Sequence, residues 1–429
     1  MRLTTAVVTL AATLATAAPA FADHPAPPLN PCRSAVAPAP GPREGLQQYV
    51  GAMHEHSAYS DGYIGTIPSD YFASGKCFGL DFMVGSDHSD FFATPIATSD
   101  ECVSNMDFAS CALADPYTPA NSVDKYGAER AQADAATTPD FTAGAGFEWS
   151  SDRFGHINAY FGKNWTSWMH DGGAMTMQTF YTWATLPADL GGGSDALFTF
   201  NHPGDKSLCG QIDVCQPPDD PAFNWNDFEY VPSMDDQMVG VEVFNGGSDF
   251  ASPGAHEAGA DGWFAHALDK GWHLGAVGAE DKGHKRTDHW GSDDLAKTVI
   301  VAAGRSRDQL KDALHARRFY ATLGRGLQVS FSIDDADMGS RLKRTAADTL
   351  HIRGTLRDWD GNSLGDDVKL DLITNGGQVA DSSPTGQLSF NPTFEPTATG
   401  AAASRWYFLR ASRGGRVVAY SSPIWVEAA

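Results

Sequence analysis

The organisation of this chain follows from the segment Tyr49-Val50-Gly51-Ala52-Met53-His54-Glu55-His56-Ser57-Ala58-Tyr59-Ser60-Asp61-Gly62. Its first five residues form an apolar run typical of a buried β-strand, and two histidines follow it. Side chains two positions apart leave a strand on the same face, so His54 and His56 can contact one ion. Taken alone, such a pair is more often two surface histidines. The Ser-Asp-Gly turn that follows favours a metal site, because it returns the carboxylate of Asp61 toward the same point.

Residues of ligand type also adjoin other apolar runs along the chain. The nine candidate metal ligands are His54, His56, Asp61, His88, Glu148, His156, His202, Asp281 and His284. Each one, considered singly, is interpreted more simply as a buried polar residue. Together they predict one polynuclear site, because ionisable groups at the ends of buried strands are costly unless they are paired or coordinated. Histidines and carboxylates without thiolates suit zinc, manganese or iron.

Strand-like and helix-like segments alternate between residues 46 and 323, which predicts an α/β fold with a parallel sheet. The predicted strands are 49–53, 80–85, 141–147, 157–161, 196–200, 239–244, 274–277 and 298–302. The predicted helices are 124–136, 175–186, 262–270 and 307–318. This number of units favours a closed or distorted barrel over an open sheet. In such a barrel the ligands would collect at the carboxyl ends of the strands.

The pattern changes after Leu323. Residues 327–333 alternate between apolar and polar with a period of two, and further strands are predicted at 349–356, 368–374, 406–411 and 417–421. Turn pairs such as Asp360-Gly361 separate them, and no helical segment interrupts them. Residues 324–429 therefore predict a small C-terminal β-sandwich.

The first residues are interpreted as targeting sequence. Arg2 precedes a short apolar stretch at 3–18, and Ala20-Phe21-Ala22 provides a small-x-small cleavage signature. Residues 1–22 therefore predict a cleaved signal peptide and a secreted or periplasmic protein. Residues 23–45 are rich in proline and alanine and predict an extended leader. No later window is long and apolar enough to span a bilayer.

Export would place the six cysteines in an oxidising compartment, where disulfides persist. The simplest pairing joins Cys102 with Cys111 and Cys209 with Cys215, which leaves Cys32 for Cys77. Other connectivities remain open. A cysteine metal site is the weaker alternative, because the chain has no Cys-x-x-Cys pair.

The net charge of −23 bears on binding partners. An acidic surface of this kind repels nucleic acid and anionic membranes unless bound metal ions reverse the sign locally. Solubility is the simpler explanation of the acidity. The expected partner is therefore a small-molecule or polymeric substrate, and the sequence leaves the oligomeric state open.

The order and spacing of the motifs resemble the PHP (polymerase and histidinol phosphatase) superfamily of metallohydrolases. The motifs that carry the resemblance are His54-Glu55-His56 with Ser60-Asp61-Gly62, Asp87-His88, Glu148, Asn201-His202-Pro203 and Asp281. Within the superfamily the chain looks most like the secreted carbaryl-hydrolase-like (CehA/McbA) branch. The resemblance covers residues 46–323. It implies a distorted (β/α)7 TIM-like barrel holding two to three divalent metal ions.

The resemblance also implies how the ligands divide among the ions. The first ion would be held by His54, His56, Glu148 and Asp281, the second by Asp61, His88 and a closing histidine, and the third by His156 and His202 with Glu148 bridging. Family members usually close with Asp-x-His, whereas this chain has Asp281-Lys282-Gly283-His284. We favour a bulge at Gly283 that still delivers His284. Otherwise His289 is the next candidate, and the site is dinuclear.

Four further residues are predicted to act beside the ligands. Glu242 and Asp87 are expected to orient ligand histidines, and Asp87 could also relay a proton. Arg153 and Lys282 are the cations placed best by sequence to contact a substrate oxygen, although each is more often a surface charge.

The predicted reaction is attack of a metal-bridging hydroxide on a phosphoester, because two or three divalent ions activate water at neutral pH. The same site could instead cleave a carboxylic or carbamate ester. A third hypothesis is a non-catalytic metal- or glycan-binding protein that uses the C-terminal sandwich.

Overall fold

The fold is taken from a computed structural model of the whole chain. It describes residue 32 and residues 37–63, 65–92, 124–151, 153–168, 175–204, 223–253, 262–284, 289–396 and 404–429. The predicted signal peptide lies outside these residues, as do Cys102, Cys111, Cys209 and Cys215. The remaining predicted disulfide, Cys32–Cys77, is present.

Local sequence signals start several of the helices. Their bounds are α1 Pro68–Cys77, α2 Lys125–Ala136, α3 Met177–Thr185, α4 Trp263–Asp269 and α5 Arg307–His315. Helix α5 begins at a Ser306 capping box and buries Leu310, Ala313 and Leu314, as the 3,4 spacing predicts. A short segment at Phe223–Phe228 has left-handed backbone angles. No helix among the described residues is long and apolar enough to cross a membrane.

The described strands are more numerous than the sequence predicts. They are β1 Ala39–Pro40, β2 Gln47–Ala52, β3 Phe82–Val84, β4 Thr142–Gly144, β5 Gly146–Ser151, β6 Gly155–Tyr160, β7 Leu197–Phe200, β8 Met238–Asn245, β9 Ser248–Asp249, β10 Gly275–Ala279, β11 Ala296–Ala302, β12 Phe319–Leu323, β13 Leu327–Ile333, β14 Ala336–Asp337, β15 Arg341–Arg344, β16 Ile352–Asp358, β17 Val368–Thr374, β18 Gln378–Ser383, β19 Gln387–Phe390, β20 Ser404–Arg413, β21 Arg416–Ser421 and β22 Ile424–Ala428. They form sheets of 12, six and four strands. The predicted mixed α/β class is confirmed.

The predicted parallel sheet is only partly present. Strands β2, β3 and β4 are parallel to one another, and so are β7, β8 and β10. Strand β11 runs antiparallel to β2, and β5, β6 and β7 are antiparallel neighbours. Only residues 152–154 separate β5 from β6, and so short a link forms a hairpin and cannot form the crossover that parallel strands need.

The described strand ladders do not form a closed barrel, because the sheets remain open. Strands β2 and β3 belong to the 12-stranded sheet, whereas β5–β8 and β10 belong to the six-stranded sheet. Isolated parallel bridges join the two sheets at His88–Glu148 and at Glu55–Lys282. Both bridges lie among the candidate ligands, so the two sheets meet at the predicted site.

The strands after Leu323 divide between two sheets. Strands β13, β14, β16 and β19 form the four-stranded sheet, whereas β15, β17, β18 and β20–β22 belong to the 12-stranded sheet. The connection is made by β12 and β21, which pair through Ala321 and Tyr420. The Tyr420 hydroxyl also donates to Asp249 of β9. The division into separate regions at residues 323 and 324 therefore stays a prediction.

Candidate metal centre

The nine predicted ligands lie together where the 12-stranded and six-stranded sheets meet. They form four overlapping groups, within each of which the ligand atoms lie within 4.8 Å of one another. The groups are His54/His56/Glu148, His54/His202/Asp281, His88/Glu148/His156 and His56/Asp61/His88/His284. The groups share members, so the arrangement is one continuous cluster of six imidazoles and three carboxylates.

Strand ends place most of the ligands. His54 and His56 follow β2, His88 follows β3, Glu148 and His156 lie within β5 and β6, His202 follows β7, and Asp281 follows β10. Backbone hydrogen bonds extend the pairing past the ends of β2 and β10. The backbone amide of Asp281 donates to the carbonyl oxygen of His54 (3.0 Å), and the backbone amide of His56 donates to the carbonyl oxygen of Lys282 (2.8 Å). These two bonds fix His54, His56 and Asp281 relative to one another.

Glu148 lies at the centre of the cluster and is 1% exposed. Its Oε1 lies 3.0 Å from His156 Nδ1, 3.2 Å from His202 Nε2 and 3.4 Å from His54 Nε2. Its Oε2 lies 2.9 Å from His88 Nδ1. A carboxylate placed in this way can bridge ions that are held by different histidines, which is the part assigned to it by the family resemblance.

The group around Asp61 is the outermost part of the cluster. Asp61 Oδ2 lies 3.5 Å from His88 Nε2 and 3.4 Å from His284 Nε2, and Asp61 Oδ1 lies 3.6 Å from His56 Nδ1. The side chains of Asp61 and His284 are 28% and 33% exposed, whereas those of His54 and Glu148 are almost completely buried. We call His56, Asp61, His88 and His284 the outer group, because solvent reaches the cluster there.

The longer closing motif still brings His284 to the cluster. Gly283 has a φ of +117°, a conformation that L side chains rarely adopt, and a Cβ there would lie 1.9 Å from the His56 carbonyl oxygen. This backbone bulge turns His284 toward Asp61, as the sequence favoured. His289 is described but belongs to none of the four groups.

Glu242 lies behind the ligands, where the sequence placed it. Its Oε1 lies 2.6 Å from His54 Nδ1, and its Oε2 accepts hydrogen bonds from the His202 amide (2.8 Å) and from Asn245 Nδ2 (3.0 Å). This contact leaves Nε2 of His54 directed at the cluster.

Two asparagines were not predicted to take part. Asn245 Nδ2 donates to Asp281 Oδ2 (3.0 Å), and Asn201 Nδ2 donates to Glu148 Oε1 (2.8 Å). Each therefore holds one ligand carboxylate in place. Asn201 immediately precedes His202, and Asn245 ends β8, so their positions at strand ends were the available signal.

Asp87 occupies a different position from the one expected. Its carboxylate accepts hydrogen bonds from the Ser57 amide, the Ser57 hydroxyl and the Ser60 hydroxyl, each at 2.7 Å. None of its described hydrogen bonds reaches a ring nitrogen, so the expected contact with a ligand histidine is wrong. Asp87 instead fixes the turn that returns Asp61.

No described hydrogen bond or ion pair joins the side chain of either predicted cation to a ligand residue. Arg153 is exposed, and its guanidinium lies over the Phe154 ring at 5.7 Å. Lys282 contributes its backbone to the bridge with Glu55, and its side chain is partly exposed. A contact of either side chain with substrate stays a prediction.

Burial and neighbouring charges shift the pKa of several groups in the cluster. Burial would raise the pKa of Glu148, but the surrounding imidazoles, His156 first, outweigh burial and hold the pKa well below its usual range. Burial would lower the pKa of His54, but the carboxylates, Asp281 first, hold that pKa well above its usual range. Burial is the largest effect at His56 and lowers its pKa. The site therefore combines a carboxylate whose pKa is lowered by neighbouring imidazoles with imidazoles whose pKa depends on burial and on the neighbouring carboxylates.

The donor set fits divalent metal ions. Nε2 of His54 and both ring nitrogens of His56 are buried and have no hydrogen-bond partner among the described residues. Buried polar atoms without partners are costly, and coordination to a cation would remove that cost. Nitrogen and carboxylate donors without sulfur suit zinc, manganese or iron.

A buried ion pair beneath the cluster was also not predicted. Glu280 precedes the ligand Asp281, and its Oε1 lies 2.6 Å from Nζ of Lys297 on β11; both side chains are completely buried. Glu280 Oε2 accepts from the Gly291 amide (2.7 Å). The pair thus ties the residue before a ligand to the neighbouring strand.

Comparison with known proteins yields limited similarity. No family model matches the chain. Uncharacterised proteins of Chlamydia muridarum and Chlamydia pneumoniae are 29% and 30% identical to it over 140 and 141 residues. Each match covers 30% of this chain, and the chain spans only 22% of the length of these curated relatives.

Two solved structures align with much of this chain. A two-domain protein from Bacteroides vulgatus, described as containing a predicted PHP-like metal-dependent phosphoesterase, aligns over 91% of this chain and 99% of its own, at 16% identity and a TM-score of 0.44. PsfC from Pseudomonas syringae aligns over 64% of this chain and 91% of its own, at 13% identity and a TM-score of 0.34. Neither similarity is high enough to support a conclusion about this chain.

Proposed function

We propose that this protein is a metal-dependent hydrolase that cleaves phosphomonoesters or phosphodiesters. The observation that carries the proposal is the convergence of six imidazoles and three carboxylates on one buried cluster centred on Glu148. Binding of metal alone would require far fewer ligands, since one structural ion is usually held by four.

The chain's own residues divide into an inner and an outer part. His54, His156, His202 and Glu148 form the buried inner part, which Glu242 and Asn201 hold in place. Asp281 lies between the two parts, with its Oδ1 3.7 Å from His54 Nε2 and 3.2 Å from His56 Nε2. The outer group is open to solvent and provides the side from which a substrate approaches. When bound, the divalent ions lower the pKa of a coordinated water and neutralise charge that develops on substrate oxygens.

The charge of a site that holds three ions would favour a phosphoester over a neutral ester. Asp61, Glu148, Asp281 and Glu242 are the carboxylates in contact with the ligand imidazoles. Two divalent ions would only balance these four charges, whereas three would leave an excess of positive charge that attracts an anionic substrate. Nine ligands provide about three for each of three ions, the usual number in catalytic sites.

The experiment combines metal analysis with a substrate panel. The purified protein, loaded with Zn²⁺, Mn²⁺ or Fe²⁺, is assayed with an aryl phosphomonoester, an aryl phosphodiester, an aryl carboxylic ester and an aryl carbamate. We expect at least two metal equivalents per chain and hydrolysis of a phosphoester that the His54→Ala/His56→Ala variant lacks. Fewer than two equivalents, or activity that persists in this variant, would contradict the proposal.

Carboxylic or carbamate ester hydrolysis is the second candidate. It is supported by the same charge balance, because a site holding two ions would be close to neutral and would not repel an uncharged ester. Hydrolysis of the carboxylic ester or carbamate without phosphoester activity, together with two metal equivalents, would favour it. Ligand binding without any hydrolysis would favour the non-catalytic alternative.

We also propose that the protein is exported and belongs to the carbaryl-hydrolase-like branch of the PHP superfamily. The support for export is the sequence of residues 1–22. N-terminal sequencing of the protein recovered outside the cytoplasm should begin at Asp23. An intact Met1 in that fraction would contradict cleavage at this position.

A further inference from the structure

We propose that Trp290 is a positioning residue that holds the outer group together by joining the backbone segments that carry its ligands. The inference rests on the proposed function only in assuming that the cluster binds metal. Three of the four ligands in the outer group, His56, Asp61 and His284, come from segments that meet beneath the Trp290 indole.

The indole N–H lies at the junction of two of these segments. Trp290 is 3% exposed, and its Nε1 donates to the carbonyl oxygens of His56 (3.1 Å) and Lys282 (3.2 Å). The same Lys282 carbonyl accepts the His56 amide at 2.8 Å. One buried donor therefore bonds the segment after β2 to the segment after β10. Loss of a buried donor leaves its acceptors poorly satisfied.

Gly283 brings the third segment to the same point. Its carbonyl oxygen accepts the Tyr63 amide, and Tyr63 belongs to the turn that returns Asp61. A Cβ at Gly283 would lie 1.9 Å from the His56 carbonyl oxygen and 2.7 Å from Trp290 Nε1. Only glycine permits the backbone to approach the His56 carbonyl so closely. The bulge at Gly283 and the indole N–H of Trp290 therefore meet at the same carbonyl oxygen.

Helix α1 contacts both the backbone and the ring of Trp290. The Ser74 hydroxyl donates to the Trp290 carbonyl oxygen at 2.7 Å, and the Tyr71 ring meets the indole edge-on with centroids 6.2 Å apart. The Cys32–Cys77 disulfide attaches to the last residue of α1. The Trp290 junction is therefore attached to helix α1, which contributes no ligand to the metal cluster.

The inner part of the cluster is positioned by other residues. Glu242 contacts His54 and the His202 backbone, and Asn201 contacts Glu148. None of these contacts passes through Trp290. Because His56 also belongs to the His54/His56/Glu148 group, removal of the indole N–H should weaken the outer ion position most and the His88/Glu148/His156 position least.

The test replaces Trp290 by phenylalanine, which keeps an aromatic ring and removes the N–H. Trp272→Phe is the matched control, because Trp272 is completely buried and its Nε1 donates to one backbone carbonyl, that of Phe228, at 2.9 Å. Metal content and affinity are measured by equilibrium dialysis against Mn²⁺ and Zn²⁺ with elemental analysis, and folding is measured by circular dichroism. We expect one ion to lose about tenfold or more in affinity in Trp290→Phe, with the remaining ions affected less and Trp272→Phe like wild type.

Ser74→Ala provides a second, milder variant if Trp290→Phe does not fold. It removes the bond to the Trp290 carbonyl and should give a smaller loss at the same ion position. Unchanged affinities in the folded variants, equal weakening of every ion, or the same loss in Trp272→Phe would overturn the inference. Selective loss of one ion in a protein whose wild type hydrolyses no ester would support the inference and contradict only the proposed function.

Discussion

Each ligand in this site depends on the polar residues behind it, and His54 shows the dependence most directly. Its Nδ1 contacts Glu242, which leaves Nε2 to face Glu148. Such partners fix the ring orientation and increase the basicity of the ligand. A carboxylate that touches no metal can therefore decide whether the imidazole binds well.

Substitution of Glu242 by glutamine is expected to weaken metal binding about 10- to 100-fold. The amide preserves size but removes the charge that stabilises His54 and disturbs the hydrogen bonds to His202 and Asn245. Equilibrium dialysis with elemental analysis measures the change, and Glu229→Gln at an exposed position is the control. Equal affinities in the two variants would show that Glu242 does not orient a ligand.

The same residues show what could be read from the sequence at this scale. The role of Glu242 was predictable because a lone carboxylate within an apolar run requires a partner. The role of Asp87 was not, because a carboxylate next to a ligand histidine could contact a ring nitrogen as readily as Ser57 and Ser60. The residue type indicated that the Asp87 carboxylate would need hydrogen-bond donors. Only the tertiary structure showed that Ser57 and Ser60 provide them.

Among the elements, the segment before β8 is tied to the C-terminal strands by a small charged cluster. Asp235 Oδ2 lies 2.9 Å from His273 Nδ1 and 2.6 Å from Arg341 of β15. Partial burial would raise the pKa of Asp235, but His273 and Arg341 outweigh burial and lower the pKa to about 2. The ionised carboxylate therefore stabilises the contact between these elements.

The contribution of Asp235 should depend on pH in one direction. Because its folded pKa is depressed, the stabilisation is present above the unfolded pKa of about 3.9 and is lost as the pH falls toward 2. We expect Asp235→Asn to lower the free energy of unfolding at pH 7 by about 1 kcal/mol, after allowance for solvent screening. Urea denaturation at pH 7 and pH 3, with Asp236→Asn as an exposed control, measures the difference. A difference that grows on acidification would contradict the assignment.

Element types were predicted well where periodicity was strong, as in α5 and β13. Helix α1 was missed because its buried and exposed residues do not follow a clear helical period, although Pro68 at its start and Asp70 in its first turn were available signals. The parallel sheet was predicted from strands alternating with helices, yet no predicted helix lies between 141–147 and 157–161. The short link between β5 and β6 was the evidence that they form a hairpin.

At the scale of the whole molecule, the 12-stranded sheet crosses the predicted boundary at residue 323. Strand β12 pairs with β11 on one side and with β21 on the other. Tyr420 of β21 packs on Phe244 with ring centroids 5.1 Å apart and contacts Asp249. The strands after Leu323 thus cover apolar surface and satisfy backbone groups of the strands before it.

A chain ending at Leu323 is therefore expected not to fold cooperatively. Its β12 would become an edge strand with unpaired backbone groups, and the apolar surface of Phe244 would be exposed. Thermal unfolding followed by circular dichroism, compared with the full chain, tests the expectation. A truncated chain that unfolds cooperatively and binds metal as the full chain does would show instead that residues 324–429 form a separate domain.

Removal of metal should also destabilise the molecule as a whole. Ions that bind the folded state and not the unfolded chain increase stability by about 3 kcal/mol at a free concentration 100 times the dissociation constant. We expect a chelator to lower the melting temperature of the wild type and to leave that of His54→Ala/His56→Ala almost unchanged. Differential scanning fluorimetry with and without chelator, followed by addition of Mn²⁺ or Zn²⁺, provides the measurement. An equal decrease in both proteins would indicate that the chelator acts elsewhere.

The sequence by itself determined which residue types stand at the ends of which strands, because apolar periodicity and ligand chemistry are local properties. From these it predicted the mixed α/β class and the nine members of the cluster, and the spacing of the cysteines left Cys32 to pair with Cys77. The tertiary structure alone decided that the sheets remain open, that β12 joins β21, and that Trp290 lies over the backbone of His56 and Lys282. These features depend on contacts between residues far apart in the chain, where pairing is set by packing and hydrogen bonding and leaves no local pattern to read.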